Sequence, residues 1–543
     1  NGVTWKELGT FNFPKASGSN GYVGFEGPDF GGVRARHVLL TIHSNHGDEF
    51  GYALSEIEIA VGSPEAGISG GKVRDRRPPK NVTVRTVEGR AARPARFKAG
   101  RFEARGNTDP DHRAPAQKRG EVVVSFDLLP TQMSFNLPSF PCLVTENDIS
   151  YYNGWTETYD EAAGGGSCEP LMDRDNVYSR MWIESQNDAR IIVRWRAALV
   201  SSAGIIAHKD APVVSPYGPG DWVDEWYIIY PDGVHVRKSK IYTYFAPHSK
   251  PFGWDRDPPN YIFEFQEMLF LGQRGRIPED DIQTKALILI KMNRDHTTVS
   301  YDPYPVHFEP EEDELYAAFG AYAKANIFVV NTKSEYHPFT IGREEGVSIS
   351  PYAPERRRRR GIFQSWPQNP NREDGYHGAA LGHIILRTFY KKTDTTLTQI
   401  YLSGFTKSAE PSAELVPLAK SWLYPPEIRL IDPVTASKVG YDPAQRAYLV
   451  DCMQGRREQV IQFEIMATEN SPIVNPAFLI NNWGKTDVVL ELNESGMEQG
   501  TDFRFGHYDS LDVDDGRRWE DVLIVWVRAK SFRPARIKIQ SRE

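Results

Sequence analysis

Short segments of alternating apolar and polar residues recur along most of the chain, and they constrain the fold more than any other feature of the sequence. The segments have the two-residue period of strands, and they end at Gly, Pro, Asn or Asp residues that favour turns. Clear examples are HVLLTIH, EVVVSFDL, RIIVRWRAALV, WYIIYP, ALILIKM and DVLIVWVRA. We therefore predict an all-β protein built from stacked antiparallel sheets.

Helical patterns are rare in this sequence. Residues 311–325 (EEDELYAAFGAYAKA) follow a proline and are rich in Ala, Glu and Leu, which predicts one helix. A second, short helix is predicted within residues 408–420.

The length of 543 residues favours several domains over one compact core. We predict three parts. Residues 1–120 hold a small β unit and long exposed connections rich in Gly, Pro and Arg. We expect residues 121–410 to form a large antiparallel β-sandwich of the supersandwich type that carries the active groove, and residues 411–543 to form a smaller C-terminal β-sandwich.

The charge and the hydropathy of the chain exclude several classes of function. A formal net charge of −8 argues against a basic nucleic-acid platform, and no apolar run is long enough to span a bilayer. Phosphate-binding, serine-hydrolase, zinc-protease and dinucleotide motifs are missing from the sequence. Because the chain starts at Asn1 without a leader-like segment, we expect a leader or tag to have been removed.

Three cysteines and many aromatic residues give further, weaker indications. Cys142 and Cys168 either close a disulfide or remain thiols, and no zinc-ligand spacing is present.

Aromatic residues make up 12% of the chain. Such a content suits either sugar-binding clefts, where rings pack on pyranose faces, or the cores of large β-sandwiches.

The segment RIIVRWRAALV predicts a strand with two unlike faces. Alternation directs Ile191, Val193, Trp195 and Ala197 to a core and Arg190, Ile192, Arg194 and Arg196 to the other side. Arginines two residues apart on an exposed face can hold carboxylates or sulfates, or they can form ordinary cross-strand ion pairs.

The segment DWVDEWYIIYPDGVHVRKSK predicts a hairpin that is unusually rich in ionisable and aromatic groups. The turn falls at Pro231-Asp232-Gly233. If the two strands pair, Glu225 or Tyr227 approaches His235 or Arg237 across the ladder. We expect this edge to line a polar, aromatic groove that binds an acidic polysaccharide.

A second candidate region lies between residues 355 and 383. It contains five consecutive arginines at 356–360, followed by Trp366 and His377. Long loops of this kind are often functional, although an arginine run is also typical of a solvated segment.

These residue types suit β-elimination at a uronic acid. A base removes the C5 proton, a cation neutralises the carboxylate that acidifies it, and an acid protonates the leaving oxygen at C4. We expect His208, Tyr227, Arg194 and His377 to act in catalysis. We expect substrate binding by Arg196, Trp222, Glu225, His235, Arg237 and Trp366.

Four stretches carry a resemblance to a known group of proteins. The stretches are RIIVRWRAALV, GDWVDEWYIIYPDGVHVRK, EFQEMLFLGQRGRIPEDDI and SAELVPLAKSWLYPPEIRL. They resemble large secreted bacterial proteins that degrade acidic marine polysaccharides, including lyases acting on ulvan. The stretch RHVLLTIHSNHGDEFGYALSEIEIAVG resembles the last strands of discoidin-like modules. The resemblance implies a secreted or periplasmic protein with an acidic polysaccharide as its partner. The charge and the hydropathy lead us to expect neither a nucleic-acid partner nor a membrane span.

Two other functions are open at this point. A glycoside hydrolase would use two carboxylates among Asp224, Glu225, Glu264 and Glu267. A carbohydrate-binding or adhesin protein would need no catalytic groups. We expect no required cofactor, with Ca²⁺ or another divalent cation at Asp221, Asp224 and Glu225 as the alternative.

Overall fold

The structure is a computed structural model, and it describes most of the chain after residue 98. The chain divides into two compact units, residues 1–88 and 89–543, and all described residues belong to the second. The discoidin-like segment, the arginine run, Trp366 and His377 lie outside the described residues. The described ranges are 99–110, 122–136, 140–154, 156–164, 166–173, 176–250, 261–273, 281–299, 321–349, 379–384, 386–431, 436–452, 459–513 and 516–542.

The described residues before position 251 form thirteen strands, most of them in antiparallel pairs with a neighbour along the chain. They are β1 (Glu103–Gly106), β2 (Val122–Ser125), β3 (Gln132–Asn136), β4 (Phe140–Val144), β5 (Ser150–Asn153), β6 (Glu157–Asp160), β7 (Gly166–Glu169), β8 (Arg180–Gln186), β9 (Ile191–Ala198), β10 (Val200–Ser201), β11 (Trp222–Ile229), β12 (His235–Tyr242) and β13 (Ser249–Lys250).

Eleven more strands follow in the described residues up to position 406. They are β14 (Tyr261–Glu264), β15 (Glu267–Gly272), β16 (Ile282–Ile290), β17 (His296–Val299), β18 (Ala321–Ala323), β19 (Ile327–Thr332), β20 (His337–Ile341), β21 (Val347–Ile349), β22 (Ala379–Ile384), β23 (Lys391–Lys392) and β24 (Thr396–Thr406).

Helix α1 (Pro411–Leu423) separates these strands from the last group. It confirms the short helix predicted within residues 408–420, with Pro411 in its first turn, where proline is tolerated. The remaining strands are β25 (Ile428–Leu430), β26 (Ala436–Asp442), β27 (Ala447–Cys452), β28 (Val460–Ile465), β29 (Ile473–Val474), β30 (Ala477–Asn481), β31 (Val488–Leu492), β32 (Ser495–Gly496), β33 (Phe503–Asp512), β34 (Arg518–Val527), β35 (Lys530–Ser531) and β36 (Ala535–Ser541).

The all-β prediction is confirmed for the described residues, while the helix predicted at 311–325 is wrong where it can be checked. Residues 321–323 form β18, which pairs with β21, and residues 311–320 lie outside the described residues. Pairing with a sheet edge has overridden the helical propensity of this alanine-rich segment.

Two large sheets form the centre of the protein. A ten-stranded sheet has the order β17-β16-β19-β20-β24-β12-β11-β9-β8, with β23 also paired to β24. A nine-stranded sheet has the order β1-β2-β3-β4-β5-β15-β22-β21-β18. One apolar core unites Trp195 and Tyr227 of the first sheet with Phe135 and Tyr151 of the second, so the two sheets form a sandwich.

The C-terminal residues form a second sandwich of two five-stranded sheets, β25-β28-β36-β31-β32 and β26-β27-β30-β34-β33. Its own core includes Phe463 and Ile537 from the first sheet and Phe478 and Val525 from the second. A further five-stranded sheet, β10-β7-β6-β14-β13, and a two-stranded sheet, β29-β35, complete the described fold.

The ten-stranded sheet is covered on part of its second face as well. A further core joins Ile192, Ile228 and Val236 of that face to α1 and to Trp526 of the C-terminal sandwich. The inner face of the ten-stranded sheet therefore packs on the nine-stranded sheet, and one end of its outer face packs on the C-terminal sandwich. The two domain boundaries, after residues 120 and 410, stay predictions.

Two further sequence expectations can be compared with the structure. Cys142, Cys168 and Cys452 are buried thiols, and Cys142 and Cys168 form no disulfide. None of the helices in the described part of the chain has the length and apolar character needed to cross a membrane.

Candidate functional site

The candidate site is the open end of the outer face of the ten-stranded sheet. In β11, Ile228 is buried under the C-terminal layer, whereas Trp226 is only partly buried. Trp226 pairs with Arg194 of β9 on one side and Lys238 of β12 on the other. Residues directly opposite in antiparallel strands share a face, so these side chains lie on the same surface.

The same surface continues one pair further along the strands. Asp224 of β11 lies between Arg196 of β9 and Lys240 of β12. Tyr217 reaches the surface from the loop before β11. We call this surface the cationic face and define it as Trp182, Arg194, Arg196, Tyr217, Asp224, Trp226, Lys238, Lys240 and Tyr242.

Asp224 lies at the centre of the cationic face with a side chain that is 0% exposed. Arg194 Nη2 donates to its Oδ2 at 2.9 Å, and Tyr217 donates its phenolic hydrogen to the same oxygen. Arg196 Nε lies 3.5 Å from Oδ1. Asp224 therefore positions two arginines and a tyrosine from beneath, and it is itself shielded from solvent.

Aromatic rings hold the two arginines in place. The guanidinium carbon of Arg196 lies 3.9 Å from the ring centroid of Tyr217, and that of Arg194 lies 4.6 Å from the centroid of Trp226. Trp182 contacts both, at 5.4 Å from Arg194 and 5.3 Å from Arg196. Such stacking orients a guanidinium while leaving its edge able to bind an anion.

The two arginines differ in how far their hydrogen-bonding capacity is used. Arg194 also pairs with Glu184 at 3.2 Å, so carboxylates occupy much of its fork. Arg196 lies beside one carboxylate, Asp224, its buried Nε makes no hydrogen bond within the described residues, and its side chain, like that of Arg194, is 22% exposed. Arg196 therefore has more capacity than Arg194 for an incoming carboxylate or sulfate.

Tyr217 is a phenol that stays protonated near neutral pH. Partial burial raises its pKa, and the adjacent carboxylate of Asp224 raises it further. Its ring also contacts Trp222 and Tyr242, with both centroid distances at 5.7 Å. Trp222, predicted to bind substrate, is 8% exposed and mainly supports Tyr217.

Four predicted site residues do not lie in an open groove, which corrects the sequence expectation. Glu225, Tyr227, His235 and Arg237 are fully buried on the inner face, between the two large sheets. The reason is alternation: Glu225 and Tyr227 occupy the positions of β11 that point away from Asp224 and Trp226.

Glu225 and Arg237 form a buried ion pair with many supporting hydrogen bonds. Arg237 Nε donates to Glu225 Oε2 at 3.0 Å, and its Nη2 donates to Glu225 Oε1. Tyr227 donates to Glu225 at 2.6 Å, and Thr156 donates to it at 2.8 Å. Burial alone would raise the pKa of Glu225, but Arg237 outweighs that effect and the pKa is lowered.

His235 lies beside this network and is neutral. Burial lowers its pKa from 6.5 to about 3, and the positive charge of Arg237 acts in the same direction. This histidine is therefore a poor candidate for a group that exchanges protons with a substrate.

His208 forms a different arrangement, at the start of β11. Its Nδ1 lies 2.7 Å from Oδ2 of Asp221, and its backbone amide donates to Asp160 at 2.7 Å. Burial opposes protonation of His208, but the bond to Asp221 outweighs it and the pKa is raised. A carboxylate that orients one ring nitrogen is typical of histidines that transfer protons.

The carboxylates proposed for a metal site are not brought together. Asp224 and Glu225 point to opposite faces of β11 and pair with different arginines, and Asp221 pairs with His208. Within the described ranges, no group of three or more His, Cys, Asp or Glu side chains could hold a metal ion.

Sequence reasoning missed several residues of the cationic face: Trp182, Tyr217, Trp226, Lys238, Lys240 and Tyr242. A usable signal existed for some of them, because the alternation that exposes Arg194 and Arg196 also exposes Lys238 and Lys240 once pairing is known. Tyr217 comes from an irregular loop, where no periodicity indicates which residue reaches the sheet.

Comparison of the chain with models of protein families and with curated proteins found no match to either.

Proposed function

We propose that this protein is a polysaccharide lyase that binds an acidic polysaccharide on the cationic face. The observation that carries the proposal is the pair of partly exposed arginines stacked on aromatic rings, of which Arg196 has one carboxylate partner, Asp224, among the described residues. Guanidinium groups bind carboxylates and sulfates, while neighbouring rings pack on sugar faces. Such a polymer is found outside cells, so we also propose a secreted or periplasmic location.

The proposed reaction is β-elimination. Arg196 neutralises the uronate carboxylate and so makes the C5 proton easier to remove. Tyr217, protonated because of burial and Asp224, protonates the leaving oxygen at C4, in place of the buried Tyr227 that was expected among the catalytic residues. Two histidines are candidates for the base: His208, oriented by Asp221, and His377, which lies outside the described residues.

The carboxylates of the cationic face argue for elimination over hydrolysis. A glycoside hydrolase needs two carboxyl groups that both reach the scissile bond. Among the described residues of this surface, Asp224 is shielded by its own donors and Glu184 is paired with Arg194. The guanidinium groups that elimination requires, in contrast, lie at the surface.

The experiment is incubation with a panel of uronate polysaccharides, with and without a chelator. Elimination creates a conjugated acid that absorbs in the ultraviolet, whereas hydrolysis releases reducing ends without that absorbance. We expect Tyr217→Phe to lower the rate by about 100-fold or more while polymer binding persists. Tyr244→Phe, at an exposed tyrosine away from the cationic face, is the matched control.

A non-catalytic binding protein is the second candidate. The burial of Tyr227, His235 and Arg237 favours it, because it removes one predicted catalytic group and two predicted substrate-binding groups from the surface. In that case Arg196→Gln would weaken polymer binding although no product forms with any substrate. Reducing ends that rise without ultraviolet absorbance would instead contradict both candidates and favour a hydrolase.

A further inference from the structure

The cations of the outer face are arranged in a row that runs across the strands. Arg196 of β9 pairs with Asp224 of β11, which pairs with Lys240 of β12. Lys240 pairs with Thr398 of β24, and Thr398 pairs with Lys391 of β23. Since directly opposed residues share a face, all five side chains belong to one row on one surface.

Along this row, positively charged side chains that reach the solvent alternate with buried side chains that carry no positive charge. Asp224 is 0% exposed and Thr398 is 4% exposed. Arg196 and Lys240 are partly exposed, and Lys391 is exposed. The row therefore presents three positive charges at every second strand, separated by positions whose side chains lie below the surface.

The spacing of these charges follows from the geometry of a sheet. Neighbouring strands lie about 4.8 Å apart, so cations two strands apart are separated by about 9.6 Å and the whole row spans about 19 Å. A pyranose ring with its glycosidic oxygen advances by about 5 Å, given single bonds of about 1.5 Å. Two sugars in an extended chain thus match the interval between cations.

We infer that the row Arg196, Lys240 and Lys391 selects an acidic polysaccharide that carries one anionic group per disaccharide, lying across the strands. This inference deepens the proposed function and rests on it. Each anion of such a chain meets a cation, and each intervening neutral sugar lies over Asp224 or Thr398.

The neighbouring row supports the same orientation of the chain. Trp226 lies between Arg194 of β9 and Lys238 of β12, and the ammonium of Lys238 is 5.2 Å from its ring centroid. This row therefore repeats the order of the first one, with cations on β9 and β12 and a residue without positive charge between them on β11. A chain with a carboxylate on every sugar would instead place one carboxylate over the buried charge of Asp224, which is repulsive.

Oligosaccharides of defined length test the inference with the full chain. Hyaluronan fragments carry a carboxylate on every second sugar, and polygalacturonate fragments carry one on every sugar. At constant ionic strength, we expect hyaluronan affinity to rise in steps of two sugars up to the hexasaccharide. Polygalacturonate of equal length should bind more weakly despite its higher charge.

Variants of the outermost cation make the test specific. Lys391→Gln should weaken binding of the hexasaccharide by about three- to fivefold, the range of an exposed ion pair, and leave the tetrasaccharide unchanged. Lys240→Gln should weaken both. Lys285→Gln removes an exposed charge elsewhere in the same sheet and should change neither.

The possible outcomes separate this inference from the proposed function. Affinity that rises with each added charge regardless of spacing would contradict this inference, and so would a Lys391→Gln variant in which binding of the tetrasaccharide and of the hexasaccharide is weakened equally. In both cases the row does not select for the spacing of anionic groups, but the proposed polysaccharide binding is not contradicted. If no acidic oligosaccharide or polymer binds at all, both the row and the proposed function are wrong.

Discussion

Arg196 and Arg237 show how differently two arginines of the same sheet can be used. Arg237 is buried and donates to Glu225, Thr156 and Gln266, with distances of 3.0, 3.0 and 3.1 Å for its Nε, Nη2 and Nη1 bonds. Arg196 is 22% exposed and lies beside one carboxylate, with its Nε 3.5 Å from Asp224 Oδ1. All three guanidinium nitrogens of Arg237 are used within the fold, whereas Arg196 is partly accessible to a ligand.

The ion pair of Glu225 and Arg237 provides a prediction about stability. Glu225→Gln keeps the shape of the side chain but leaves the charge of Arg237 buried without its counterion. We expect a loss of about 3–5 kcal/mol in the free energy of unfolding, measured by urea denaturation. Glu184→Gln, at the partly exposed pair with Arg194, should cost less than about 1 kcal/mol. Equal losses in the two variants would show that the buried network is not what stabilises this part of the sandwich.

His235 provides a prediction about pH. Its pKa is about 3 in the folded protein, against 6.5 for an unperturbed histidine. Between these values the unfolded chain binds a proton that the folded chain does not, so this residue lowers stability as the pH falls below about 6.5. His235→Gln removes that contribution. From about pH 6.5 to 5 the wild type should therefore lose roughly 2 kcal/mol more than the variant.

Urea unfolding at a series of pH values measures this difference. His208, whose pKa is raised, contributes with the opposite sign, but it is present in both proteins and cancels. His296→Gln, at an exposed histidine of β17, should keep the pH dependence of the wild type. Parallel pH profiles for wild type and His235→Gln would refute the assignment of a neutral, buried imidazole.

At the scale of elements, local patterns predicted which side of β9 faces the inner core but not what covers its other side. Ile191, Val193 and Trp195 pack inward as alternation predicts. Arg190 was expected at an exposed position, yet it is fully buried and bonds to Tyr508 and Gln445. Those partners lie more than 250 positions away, and no local pattern indicates such a contact.

The hairpin of β11 and β12 was harder to predict for a related reason. Both of its faces carry charged and aromatic residues, so polarity does not distinguish the inner face from the outer one. Register and the position of the C-terminal layer decide that Glu225 is buried while Trp226 is partly exposed. The sequence therefore predicts which residue types form the site, but it does not predict which of those residues lie together on one face.

Strand β33 and the turn before β9 meet at a position that only glycine can occupy. A Cβ atom at Gly506 would overlap the side chain of Asn187. Asn187 Oδ1 accepts hydrogen bonds from the amides of Ala189 at 3.0 Å and Arg190 at 2.9 Å, so it cannot move aside without losing them. We expect Gly506→Ala to destabilise the protein by about 1–3 kcal/mol.

Thermal or urea unfolding measures the effect of Gly506→Ala. Gly496→Ala, at a glycine of β32 with nothing within 4 Å of its added Cβ, is the control for a change of glycine in a strand. An unchanged midpoint for Gly506→Ala would mean that β33 and the turn at Asn187 separate easily.

At the scale of the whole molecule, three polar connections reinforce the apolar contact between the central sandwich and the C-terminal sandwich. Arg446 binds both carboxylate oxygens of Asp232, at 3.2 and 3.0 Å. Arg504 pairs with Asp127 at 2.6 Å. The third connection is a hydrogen bond of 3.1 Å from Arg190 Nε, next to β9, to the hydroxyl of Tyr508 in β33. The C-terminal sandwich covers the part of the outer face that holds Ile192, Ile228 and Val236, and the cationic face is on the part of that sheet that it leaves open.

The connection through Asp232 leads to a prediction about cooperativity. The sequence predicts a boundary between residues 410 and 411, but the two sides share an apolar core and a buried ion pair in which Arg446 is 4% exposed. We expect residues 121–543 to unfold in a single transition. Tryptophan fluorescence and far-ultraviolet circular dichroism should then give the same urea midpoint.

Asp232→Asn tests the coupling directly, because it leaves the buried charge of Arg446 without its counterion. We expect the whole transition to shift by about 3–5 kcal/mol while remaining single. Asp509→Asn, at the exposed pair with Lys485, should leave the midpoint unchanged. If Asp232→Asn instead splits the curve into two transitions, or shifts only one of two, the C-terminal sandwich folds independently. The open end of the cationic face would then be set by docking of a separate domain and not by a shared core.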